Sequence, residues 1–153
     1  MKKIKYIVSI LVIAILASCD NYDDYNTEQP TIVRFSSIIQ PDPPVSPPLN
    51  ANMLFNNGVT TISRNLGVFV SNLSSTDRTF NVTFDAALTE VNPENFTFDA
   101  TVTIPANQRR GSLTFTGFDI SLTNAPKPVV LVFVDDASYI SEVSFTFSMR
   151  STN

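Results

Sequence analysis

The sequence predicts an all-β chain, two antiparallel sheets packed face to face from about seven to nine short strands, behind an N-terminal leader and a flexible tether. Three observations carry this expectation. From residue 31 onward apolar residues alternate with polar ones, the period of a half-buried strand. Clusters of Asn, Ser, Pro and Gly interrupt that alternation at short intervals, as turns do. No long helical pattern follows the leader.

The leader comes first. Met1-Lys2-Lys3-Ile4-Lys5 places three lysines ahead of Tyr6 to Ala17, an apolar run broken only by Ser9. Such a run is shorter than the roughly 20 residues that span a bilayer, and it suits the apolar core of a signal peptide. Leu16-Ala17-Ser18-Cys19 follows at once. It resembles the bacterial lipobox, and the resemblance implies cleavage before Cys19 and a lipid thioether on its sulfur. An ordinary secretory peptide with a chance cysteine, or a short uncleaved anchor, are the competing readings. Cys19 is the only cysteine, so it has no intramolecular disulfide partner, and lipidation accounts for it. The organisation expected is residues 1–18 as signal peptide, 19–30 as lipidated cysteine and tether, and 31–153 as the sandwich.

The tether, Asp20 to Pro30, is acidic, polar and aperiodic. Asp20, Asp23 and Asp24 behind the cysteine resemble the surface-export signal of Bacteroidota lipoproteins, which implies display on the outer membrane. A periplasm-facing location is the alternative, since Asp directly after the cysteine favours inner-membrane retention in enterobacteria.

The strands follow in order. Thr31 to Ile39 has Val33 and Phe35 in phase. Gln40 to Pro48 holds five prolines and reads as an exposed loop or a strand crossover. Met53 and Phe55 precede a turn at Asn56-Asn57-Gly58, after which Val59 to Ser63 is expected to pair back. Leu66, Val68 and Val70 are in phase. Phe80, Val82 and Phe84 mark the clearest strand. Asn92 to Asn95 is a turn or a single helical turn, then Phe96 and Phe98 begin a short strand. Ala100 to Ile104, Gly111 to Phe118 and Val143 to Met149 continue the alternation. Val129 to Val134 is continuously apolar and reads as a central strand covered on both faces.

The runs Asp77 to Asp85, Asn95 to Phe98 and Thr101 to Gly111, with Lys127 to Asp136 after them, resemble Calx-beta-type immunoglobulin-like domains. They are also similar to small N-terminal domains of unknown function in Bacteroidota lipoproteins. The resemblance covers residues 66–136 and implies an immunoglobulin-like fold. Asn107 stands where these families carry glycine, and asparagine tolerates the left-handed backbone a turn requires. Calcium-binding Calx-beta domains use acidic loops, one before the penultimate strand. The segment here, Asn124 to Pro128, has no acid, so no calcium site is carried over.

Composition narrows the function. Without residues 1–18 the chain keeps 7 basic and 14 acidic residues, a net charge of −7, which disfavours nucleic acid. There is no histidine, so zinc sites and histidine-based triads have no ligand or base. Four glycines form no phosphate-binding loop. Asp135, Asp136 and Glu142 read as a solvated acidic turn. Arg109-Arg110 read as edge charges that block strand pairing. No catalytic residue, metal or cofactor is expected, and the partners expected are the membrane, through Cys19, and a protein or glycan. The first expectation is a non-catalytic lipoprotein whose sandwich makes protein contacts or acts as a spacer. The second is a glycan-binding accessory of a polysaccharide-uptake system, for which Tyr139, Phe118 and Phe69, out of phase with the core, are the candidate contacts.

Overall fold

The computed structural model describes residues 30–36, 49–141 and 143–153. Leu16, Ala17, Ser18, Cys19, Asp20, Asp23, Asp24, the proline-rich run and Glu142 lie outside them. Ten strands are described: β1 Ile32–Ser36, β2 Leu49–Phe55, β3 Thr61–Val70, β4 Arg78–Phe84, β5 Phe96–Phe98, β6 Thr101–Ile104, β7 Arg110–Phe118, β8 Lys127–Phe133, β9 Ile140–Ser141 and β10 Phe145–Ser151. A 3-10 turn at Pro93–Asn95 precedes β5, where a turn or single helical turn is expected.

The strands form two five-stranded sheets. The first runs β5-β7-β3-β1-β9 and the second β2-β10-β8-β4-β6. Most neighbours are antiparallel, but β1 pairs parallel with β9 and β2 parallel with β10. This departs from a purely antiparallel sandwich. β1 and β2 belong to different sheets, so the chain changes sheets between Ser36 and Leu49. Each then lies beside a strand from the end of the chain, a pairing that no hairpin connects and that is therefore free to be parallel.

The Asn56-Asn57-Gly58 turn forms, with Asn57 at φ 51° and Gly58 at φ 81°. It does not make a hairpin. β2 lies in the second sheet, and the residues after the turn enter β3, one continuous strand of ten residues in the first. The expected short strand at Val59 to Ser63 is thus the start of β3. A two-residue turn with left-handed backbone reverses a chain but does not dictate which sheet receives it.

Inward residues alternate as the sequence predicts: Val33 and Phe35, Leu66, Val68 and Val70, Phe80 and Val82, Leu113 and Phe115, Phe145, Phe147 and Met149 are all buried. β8 is the middle strand of its sheet. Val129, Leu131 and Phe133 are buried, and Val130, in the opposite phase, is buried too. Val134, just past the strand, is 41% exposed, so two-sided cover is confined to the middle of the expected strand.

Aromatic rings link the sheets. Phe115 of the first sheet stacks on Phe147 of the second at 3.9 Å between centroids. Phe35 stacks on Phe133 at 4.5 Å. Further contacts join Phe98, Phe96, Phe115, Phe147, Phe145, Phe35, Phe133, Phe80 and Tyr139 into one seam. Aromatic pairs contribute about 0.5–1.5 kcal/mol beyond burial. Gly117 lies within this core because a Cβ there would sit 2.7 Å from Met149 Cε and 3.1 Å from Phe55 Cζ.

Candidate functional site

The outward face of the first sheet is built by β3 and β7. Their register sets Thr61, Ser63, Asn65, Gly67 and Phe69 against Phe118, Thr116, Thr114, Ser112 and Arg110. Residues directly opposite in an antiparallel pair share a face, so these hydroxyl and amide groups form one ladder. Ser63 Oγ and Thr116 Oγ1 are 2.9 Å apart, and Thr114 Oγ1 donates to Asn65 Oδ1 at 3.3 Å. Phe118 closes one end. Phe69 closes the other, with the Arg34 guanidinium carbon 5.2 Å from its ring centroid. β-Branched and hydroxyl residues suit an exposed pleated face, and the two rings sit roughly 25 Å apart at strand rise.

Phe69 and Phe118 therefore share a face but do not touch. Tyr139 joins neither. Its ring packs edge-on against Phe80, 5.2 Å between centroids at 73°, and its hydroxyl donates to Val134 O. Out of phase by sequence, it still packs on the core, because the bridge between Asp136 and Tyr139 turns the chain back on itself. Burial first, then the Asp136 and Asp135 carboxylates, raise its phenol above the ordinary tyrosine range.

The carboxylates hold turns. Asp136 Oδ1 accepts from Ser138 N at 2.8 Å and Ser138 Oγ at 2.6 Å. The hydroxyl and then the amide hydrogen bond lower its pKa. Asp85 Oδ1 accepts from Ala87 N at 2.8 Å and Leu88 N at 3.2 Å. Asp99 Oδ2 accepts from Thr114 N at 2.7 Å, and Asp77 Oδ1 from Ala106 N at 2.8 Å. That last bond and Asn107 N to Ser74 O, at 2.7 Å, pin the turn in which Asn107 adopts φ 59°. Among the described residues no group of three or more His, Cys, Asp or Glu side chains could hold a metal ion. Arg110 begins β7 inside the first sheet, paired with Phe69.

One polar centre escaped the sequence reading. Asn95 is 1% exposed. Its Oδ1 accepts from Ile120 N at 3.1 Å and Ser121 N at 2.9 Å, while Nδ2 donates to Ser121 Oγ at 2.9 Å and Asn92 O at 3.2 Å. The amide thus fastens the turn before β5 to the loop after β7. Its only sequence signal, a turn asparagine, is shared by many others here. Arg78 is a second such clamp, donating to Asn72 Oδ1 at 2.7 Å and Asn72 O at 2.8 Å.

No family model matches the chain, and no curated protein matches it in sequence. Solved structures do match in fold. The chain is similar to a two-domain protein of unknown function from Bacteroides fragilis, at TM-score 0.57 and 14% identity, covering 80% of this chain and 46% of that one. It is similar to the apo-form Calx CBD1 domain, at TM-score 0.55 and 10% identity, covering 79% of this chain and 98% of that one. A putative carbohydrate-binding protein from Bacteroides ovatus aligns at TM-score 0.53 and 8% identity, over 76% of this chain and 37% of that one. The fold these share with the chain is a Calx-beta-like, immunoglobulin-like β-sandwich. The chain spans less than half the length of both Bacteroides neighbours.

Proposed function

We propose that this chain is an exported lipoprotein, held to a membrane by lipid on Cys19, whose sandwich makes non-catalytic protein contacts or acts as a spacer. The observation that carries the reading is Leu16-Ala17-Ser18-Cys19 directly behind a lysine-led apolar run. Two acyl chains anchor a protein firmly where one does so only marginally. The non-catalytic part draws support from the chain's lack of histidine and from carboxylates engaged by turn amides. The expected site is the outer membrane, facing the cell surface. Cys19→Ser tests the anchor in cell fractions. The variant leaves the membrane fraction with its sandwich intact. A variant that stays membrane-bound at the wild-type processed size contradicts the reading.

A second reading, a glycan-binding accessory protein, is favoured by one feature: the hydroxyl and amide ladder between Phe69 and Phe118. Sugars hydrogen-bond to such groups and stack on rings. Affinity-gel electrophoresis in a panel of polysaccharides checks it. Retardation that disappears in Phe69→Ala and Phe118→Ala favours the glycan reading over protein contacts, and no retardation in any gel removes it.

A further inference from the structure

Asn57-Gly58 is the only Asn-Gly pair in the sequence, and the fold sets it in an exposed turn. The turn lies where the chain passes from β2, in the second sheet, to β3, in the first. Both residues have left-handed backbone, at φ 51° and φ 81°, and Val59 N donates to Asn56 O at 3.0 Å to close the turn. A Cβ on Gly58 would meet nothing within 4 Å, so the Gly58 side of the turn is open. One side chain reaches its backbone. Asn153 Oδ1 accepts from Gly58 N at 2.9 Å, while Asn153 Nδ2 donates to Val59 O at 3.0 Å and to Asp119 Oδ2 at 2.7 Å. Asp119 Oδ2 also accepts from Ser151 Oγ at 2.7 Å. A single carboxamide thus clasps the turn to the segments that follow β7 and β10.

We propose that Asn57 is a site of spontaneous deamidation whose rate is governed by the Asn153 clasp. The chemistry needs only water. Gly58 N attacks Asn57 Cγ and forms a five-membered succinimide. The Cγ–Nδ2 bond breaks, and Nδ2 leaves as ammonia with the proton that Gly58 N gives up. Water then opens the ring. Addition at Cγ yields aspartate. Addition at the Asn57 backbone carbonyl carbon yields iso-aspartate, whose main chain runs through the side-chain carbon. Glycine favours ring closure, because it has no Cβ to crowd the ring and its backbone turns freely. The clasp opposes ring closure. Asn153 Oδ1 holds the proton that must leave Gly58 N, and it fixes that nitrogen in the turn. Opening the clasp frees both. Either product puts a new carboxylate in a turn whose clasp also holds Asp119. Iso-aspartate further lengthens the backbone between Asn56 O and Val59 N, the two atoms whose hydrogen bond closes the turn.

The test incubates the full chain, purified in mild detergent, at neutral and mildly alkaline pH. Mass spectrometry follows the peptide that carries Asn57. The wild-type peptide slowly gains the mass of an amide-to-acid exchange, faster as pH rises because the attacking nitrogen must lose its proton. In Asn57→Gln the gain is lost. Asn153→Ala speeds it several-fold with an unchanged circular dichroism spectrum. Should Asn153→Ala fail to fold, Asp119→Asn, which removes the charge that holds Asn153 Nδ2, makes the same comparison. Arg78→Ala opens the clamp on Asn72 at the other end of the sandwich and leaves the rate at Asn57 unchanged. A rate that loss of the clasp leaves unchanged or lowers, or an equal rise in Arg78→Ala, overturns the proposal.

Discussion

The first sheet ends in strands of two and three residues, whereas the second ends in β6, of four, and β2, of seven. Their outward faces differ as well. On the first, Ser63, Thr116, Thr114 and Asn65 are linked by hydrogen bonds between Phe118 and Phe69. On the second, the only such link described between neighbouring strands is Thr79 to Thr103, 3.3 Å between hydroxyl oxygens. Short end strands limit pairing at the rim, while a hydroxyl-lined face lies open to solvent. Two sheets that share one core thus differ in their end strands and in their outward faces.

The largest expected effect tests whether the sheets act as one unit. Phe147→Ala removes the ring that stacks on Phe115 across the interface and costs about 3–5 kcal/mol, read from urea unfolding. A loss near zero shows that the sheets do not depend on the seam. Next, Asn95→Ala strands Ile120 N and Ser121 N without their acceptor and costs about 1–3 kcal/mol. Hydrogen exchange at those two amides rises with it.

Phe69→Ala separates face from core. It removes the ring under Arg34 and costs about 1 kcal/mol, less than either change above, by thermal melting. A cost equal to that of Phe147→Ala places Phe69 in the core and dissolves the contrast. The smallest effect concerns Tyr139, whose phenol is raised in the fold. A raised pKa means that its neutral form is favoured on folding. That contribution is complete below the unfolded tyrosine pKa of about 10 and is lost as pH rises through the folded value. Ultraviolet titration shows a phenol that ionises above the ordinary tyrosine range, and with Tyr139→Phe that late step disappears.

Most of the interior was legible because alternation reports burial directly. Phe80 and Val82 on β4, and Phe145, Phe147 and Met149 on β10, lie where their period puts them. Topology was less legible. Nothing local in Leu49 to Phe55 announces a parallel neighbour nearly a hundred residues later, and the Asn57-Gly58 turn signals a reversal without naming the receiving sheet. Tyr139 falls out of phase yet packs on the core, because it sits in the turn closed by its bridge to Asp136, before β9 begins, where no strand period governs a side chain. Of the candidate contacts, Phe69 and Phe118 came out on one face, and that follows from a β3–β7 register that strand periodicity alone does not fix.

Cys19 remains the residue to which the sequence assigns a distinct chemistry, and the sandwich is what it would carry. Mass spectrometry of the N-terminal peptide from the membrane-extracted protein tests this most directly. The account predicts a mature chain that begins at Cys19 and carries acyl groups on that residue. A chain that begins elsewhere, or an unmodified Cys19, contradicts it.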